Sequence, residues 1–164
     1  MNTDAHPDLV LFGKLDKILA DSSSLIYMKK AGFLDRFLTS LEVYTVPEVI
    51  AETGFEDLAV KIIHHRYHEE RRDRALDTDS ILLRCAVDEE LPVVSEDRKI
   101  LLSAEEQGLP YFNALMMLNF LFFKRKITLG EHTRFFRRLL ETARYTRRIL
   151  TYSRELFLEI RKGL

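Results

Sequence analysis

Apolar positions alternate along the chain between short continuous runs and helical spacing. Ile18-Leu19-Ala20 is an apolar run that stops at Asp21, and Ser22, Ser23 and Ser24 follow before Leu25, Ile26 and Met28 resume the pattern. This predicts a buried strand ending at Asp21. A helix then leaves from the same point, capped by side chains that accept hydrogen bonds from its free first-turn N–H groups. Ala31, Phe33, Leu34, Phe37 and Leu38 continue as one or two amphipathic helices broken near Gly32. Val43-Tyr44-Thr45-Val46 is rich in β-branched and aromatic residues and ends at Pro47, predicting a strand and then a helix with Pro in its first turn, broken near Gly54.

Further along, Asp77-Thr78-Asp79 precedes a strongly apolar helix, Ile81 to Val87. Leu91 to Ser95 reads as a strand, Lys99 to Glu106 as a helix closed by Gly108, and Pro110-Tyr111-Phe112 as another short strand. Helical spacing then runs from Ala114 to Lys124 and, after a break at Gly130, through one or two basic helices. Alternating strands and helices predict an α/β domain with a mostly parallel sheet of about four strands. Residues 1–14, with Pro7 before Leu9-Val10-Leu11-Phe12, read as an N-terminal arm or short helix, and 15–164 as the domain itself.

Composition narrows the class. The 164 residues are 46% hydrophobic and 31% charged, enough for one globular core and too few for two comfortable domains. No apolar run approaches the about 20 residues of a membrane span, and Met1-Asn2-Thr3-Asp4 lacks the basic start of a secretion signal. A cytoplasmic protein with no membrane partner is the expectation. The single Cys85, inside an apolar helix, reads as a small core residue. Charge is uneven: from Lys124 onward, 12 Lys and Arg accompany 4 Asp and Glu, a net of +8, against −9 for the residues before. That asymmetry fits a polyanion-facing surface beside an acidic site, or complementary surfaces of two chains. Arg134, Arg137, Arg138, Arg144, Arg147 and Arg148 form a basic face if their segment is helical, with Tyr145 and Tyr152 available for stacking on bases.

Carboxylates hold the chemistry. Asp21, Asp79 and Asp97 stand where a strand meets a helix or a helix begins, and Glu52 lies about one turn beyond Pro47. Parallel strands bring their carboxyl ends to one edge, where these four acids converge. Clustered carboxylates repel unless a cation neutralises them, and hard oxygen ligands suit Mg²⁺ or Mn²⁺. His64 and His68, four positions apart, have metal-ligand spacing on a helix, but the zincin Glu is absent and a solvated helix face explains them. No Gly-rich phosphate loop follows any strand, which argues against a nucleotide-binding module.

Several of these segments resemble one family. Asp21-Ser22-Ser23-Ser24-Leu25-Ile26 followed by Ala31-Gly32-Phe33-Leu34-Asp35, then Val46-Pro47-Glu48-Val49-Ile50-Ala51-Glu52, resemble the first two motifs of small prokaryotic PIN-like proteins related to VapC-type toxins. Asp79-Ser80-Ile81-Leu82-Leu83-Arg84-Cys85-Ala86 and Val94-Ser95-Glu96-Asp97-Arg98-Lys99 resemble the third and fourth. The resemblance implies a three-layer α/β/α PIN-like domain with a helical C-terminal part. It also implies a metal-dependent endoribonuclease using Mg²⁺ or Mn²⁺, with Asp21, Glu52, Asp79 and Asp97 as catalytic and metal-binding acids and Ser23 and Ser95 as supporting residues. Asp77 rivals Asp79, Glu48 rivals Glu52, and Glu96 rivals Asp97. The partners implied are an RNA substrate, an antitoxin protein and a second copy in a homodimer. A PIN-like scaffold without catalysis, acting by protein or RNA binding, is the alternative.

Overall fold

The computed structural model describes residues 6–67 and 76–164. Within them, five strands form one sheet in the order β3-β2-β1-β4-β5, and every pairing is parallel. The strands are β1 (Lys17–Ala20), β2 (Glu42–Thr45), β3 (Lys61–Ile62), β4 (Val93–Val94) and β5 (Tyr111–Phe112). Ile18, Leu19, Ala20, Val93 and Val94 are all fully buried. Strands covered on both faces read as unbroken apolar runs, which is why β1 and β4 stand out in the sequence.

Nine helices are described: α1 (Pro7–Lys14), α2 (Ser22–Ala31), α3 (Leu34–Ser40), α4 (Pro47–Thr53), α5 (Thr78–Asp88), α6 (Arg98–Glu106), α7 (Ala114–Phe123), α8 (Leu129–Thr142) and α9 (Arg147–Lys162). α2 packs with α3, α4, α7 and α8, whereas α5 packs with α6. The chain moves outward from β1 through β2 to β3, then returns to β4 and β5 on the other side of β1. Right-handed crossovers in opposite directions place the two helix sets on opposite faces, giving three layers. α9 packs on α7, so the C-terminal pair α8 and α9 thickens one face. No described helix is long and apolar enough to cross a membrane.

Three expectations change. A fifth strand, β3, pairs with β2 through Tyr44–Lys61 and Thr45–Ile62, inside the charged stretch read as a helix face. Both its residues are exposed and Lys61 pairs with Glu42 at 2.8 Å, so burial leaves no pattern there. His64 lies beyond β3 outside any helix, so helical metal-ligand spacing does not apply to it; His68 is outside the described residues. Gly130 does not break a helix but sits in the first turn of α8. The break precedes it, at a capping box formed by Thr128 and Glu131. The N-terminal segment is a helix whose Phe12 is fully buried against Phe112, Phe120 and Phe123. Cys85 is a buried free cysteine, and Met117, Phe120 and Phe122 are core residues.

Candidate active site

In open parallel sheets ligands bind beyond the carboxyl ends of the strands, at the point where the winding direction reverses. Here that point lies between β1 and β4, paired through Leu19–Val93 and Ala20–Val94. β1 delivers Asp21 to this edge and β4 delivers Ser95, Glu96 and Asp97.

Asp21 is 5% exposed and caps α2. Its Oδ1 accepts from the Ser24 N–H at 2.8 Å. Its Oδ2 accepts from the Ser23 hydroxyl at 2.8 Å and from the Ser95 hydroxyl. Burial pushes the Asp21 pKa above the ordinary carboxylate range, and these three bonds partly offset that shift. The two hydroxyls also reach the β4–α6 turn: Ser95 Oγ accepts from the Asp97 N–H at 2.9 Å, and Ser23 Oγ from the Glu96 N–H at 3.4 Å. Ser23 and Ser95 therefore tie the β1 acid to the loop bearing the β4 acids. The fully buried Ser24 hydroxyl makes no hydrogen bond of good geometry, though it also helps lower the Asp21 pKa.

The other acids surround this centre. Asp97 caps α6, with Oδ1 accepting from the Lys99 N–H at 2.7 Å, and is exposed. Glu52 is exposed and accepts from the Ser22 hydroxyl at 2.7 Å, which brings it beside the start of α2. Asp79 is exposed in the first turn of α5. Its pKa is raised by partial burial and then by the charges of Asp97, Asp77, Asp21 and Glu52, so Asp79 lies within electrostatic reach of the other three acids expected from the sequence and of Asp77. The rivals, like Asp21, Asp97 and Glu52, have partners of their own. Asp77 caps α5 through the Ser80 N–H at 2.7 Å, which holds its pKa low, and Glu48 pairs with His65 at 2.8 Å.

Glu96 takes a different place. It is half-buried, and its Oε1 accepts from the Ala114 N–H at 2.5 Å, one of the free donors at the start of α7. Burial first, and the nearby Asp21 charge, push its pKa up to about 7. The Tyr145 hydroxyl is buried beside it, without a hydrogen bond of good geometry. Tyr145 is thus an anchor in the interior and not a ring free to stack on bases; Tyr152, on α9, gives its hydroxyl to Asp8 and packs against the His6 ring in a T-shaped arrangement.

No protein-family model matches this chain, and no curated protein matches it. Among solved structures the chain is similar to a PilT N-terminus domain protein from the hyperthermophilic archaeon Sulfolobus solfataricus P2. The identity is 11% and the TM-score 0.42, over 62% of this chain and 89% of that one.

The donor set at the edge fits a hard divalent cation in chemistry and charge. All four groups are carboxylates, and among the described residues no Lys, Arg or His forms an ion pair with any of them. They are not drawn into one shell: among the described residues no three His, Cys, Asp or Glu side chains are grouped closely enough to hold an ion. Mg²⁺ commonly takes only one or two protein carboxylates and fills its remaining positions with water and substrate phosphate, so a loose acidic edge is compatible with it.

The six arginines are all exposed but do not share one helix. Arg134, Arg137 and Arg138 lie on α8, Arg144 in the α8–α9 link, and Arg147 and Arg148 in the first turn of α9. A second buried polar cluster, Asn119, His132 and Ser153, joins α7, α8 and α9 and leaves no local pattern in the chain.

Proposed function

We propose that the protein is a PIN-like endoribonuclease that hydrolyses RNA phosphodiester bonds with Mg²⁺ or Mn²⁺. The observation that supports this reading most is that Asp79 senses the charges of Asp97, Asp21 and Glu52, none of them paired with a cation among the described residues, beside the switch point of a parallel sheet. Asp21 and Asp97 would be the principal metal-holding acids, with Glu52 and Asp79 completing the set. A bound divalent ion supplies charge stabilisation for the phosphoryl oxygens and a lowered pKa for its water.

The chain's own residues do the positioning. Ser23 and Ser95 hold the Asp21 carboxylate in one orientation and fix the turn that presents Asp97. Ser22 orients Glu52. Burial of Asp21 and Val94 keeps bulk water from the floor of the site. In this reading the basic C-terminal part attracts the RNA, and regulation by an antitoxin protein and pairing into a homodimer remain part of the proposal.

The test is cleavage of a single-stranded RNA by the wild type with Mn²⁺ or Mg²⁺, with EDTA, and by Asp21→Asn. Metal-dependent cleavage that EDTA and Asp21→Asn abolish is the expected result; an active Asp21→Asn enzyme would sink the mechanism. A second reading, a PIN-like scaffold that binds without catalysis, is favoured by the exposed, ungrouped state of Glu52, Asp79 and Asp97. RNA binding without cleavage would select it.

A further inference from the structure

Five of the six arginines fall into two sets with different surroundings; the sixth, Arg137, is an exposed residue of α8. On α8, Arg134 lies over the ring of Phe135 at 5.0 Å and near Glu131, which it helps keep ionised. Arg138 packs its guanidinium over Gly32, which caps the far end of α2 from Asp21. Gly32 has φ +95°, a conformation that favours glycine, and a Cβ there would approach Arg138 Nη1 to 3.0 Å. These two arginines are engaged in packing α8 onto the body.

The second set sits at the elbow between α8 and α9. Arg144, Arg147 and Arg148 are exposed, and among the described residues none pairs with a carboxylate. α9 has no acidic residue in its first turn. Cations at a helix start oppose its partial positive charge, an unfavourable placement that a bound anion offsets. Between these arginines Tyr145 turns inward, packed on the core, with its hydroxyl beside Glu96 and near the Leu115 backbone. Glu96 is in turn bonded to Ser23 through its N–H and to α7 through its carboxylate. Tyr145 thereby ties the elbow to the β4–α6 turn, one residue from Asp97, while Arg147 and Arg148 line a surface groove with Thr151, Tyr152 and Glu155.

We propose that the Arg144–Arg148 elbow, pinned by Tyr145, is the phosphate-binding entrance of the site and takes the sugar-phosphate backbone of the RNA strand presented to the acids, while Arg134 and Arg138 are structural. This rests on the ribonuclease reading for what happens next, but the binding it predicts is separate from cleavage. Guanidinium groups match phosphate with paired hydrogen bonds, and an acidic rim without such cations would repel a polyanion.

The test is anisotropy of a labelled single-stranded RNA in EDTA, across a salt series, with wild type, Arg147→Ala/Arg148→Ala, Arg134→Ala and, as a remote control, Arg161→Ala. The elbow variant should lose about tenfold or more in affinity and reduce the salt slope by about 1.4, near 0.7 for each phosphate contact on a single strand. Arg134→Ala and Arg161→Ala should bind like wild type. Tyr145→Ala should weaken RNA binding without changing Mn²⁺ affinity, and Tyr145→Phe should restore it. Wild-type affinity in the elbow variant, an equal loss in Arg134→Ala, or a wild type that binds no RNA but captures an acidic protein through the elbow would overturn the proposal. Elbow-dependent binding with no cleavage in Mn²⁺ would uphold the elbow and overturn the ribonuclease reading alone.

Discussion

Two buried polar clusters in this domain are built on opposite terms. In the C-terminal layer, Asn119 Nδ2 donates to the carbonyl and the hydroxyl of Ser153, both at 3.0 Å, and Asn119 Oδ1 accepts from His132 Nε2 at 2.9 Å. The His132 ring stacks on Phe157 at 4.3 Å, and burial keeps the ring neutral, its pKa lowered to about 4. Donors and acceptors match, every member is uncharged, and the cluster joins three helices. At the carboxyl edge the members are acids without paired cations among the described residues, and Asp79 is raised by burial and by its acidic neighbours. A closed network serves the fold; an edge of crowded acceptors is held at a cost that binding relieves.

Removing one residue from each cluster should separate the two roles. The largest effect expected is that of Asp21→Asn on cleavage, a loss of at least about 10³-fold. Thermal stability should not fall, because the charge removed is one that burial disfavours. Asn119→Leu should do the reverse. Leaving His132 and Ser153 without partners costs about 2–3 kcal/mol, or about 4–12 °C in melting temperature at this size, with cleavage at lower temperature preserved.

The titration of His132 sharpens the contrast. Its pKa is about 6.5 unfolded and about 4 folded, so the unfolded chain binds the extra proton first. The contribution is intact above pH 6.5 and is lost as the pH falls to about 4, by up to about 3 kcal/mol. Melting curves across that range should show the loss in wild type and a flatter profile in His132→Gln. Glu96 has the opposite sign: held up to about 7, it favours the fold while protonated and subtracts stability as the pH rises from 4.5. The smallest effect expected is that of Asp79→Asn, which relieves repulsion that solvent already screens. It should raise the melting temperature by about 1–2 °C while weakening Mn²⁺ binding.

How much of this was legible in the sequence follows from which interactions are local. β1 and β4 announce themselves because buried parallel strands are apolar, and β2 and β5 because β-branched and aromatic residues stand beside Pro47 and Pro110. β3 does not, since Lys61 and Ile62 are exposed and held mainly by backbone pairing with β2. Asp21 and Asp97 are recognisable as acids at strand–helix junctions. The choice between Glu48 and Glu52, or Asp77 and Asp79, is invisible to spacing. Nor does spacing show the partners these acids find: His65 for Glu48, Ser22 for Glu52 and the Ser80 N–H for Asp77. Glu96 and Asn119 find their partners 18 and 34 positions away, beyond the reach of any local pattern.

The central claim is that the acidic edge is a metal site organised by Asp21. Calorimetric titration of Mn²⁺ into wild type and Asp21→Asn side by side tests it most directly. Saturable binding to the wild type that disappears in Asp21→Asn is the predicted result. Equal binding by the two proteins, or no binding by the wild type at millimolar Mn²⁺ even with a non-cleavable RNA present, would contradict it.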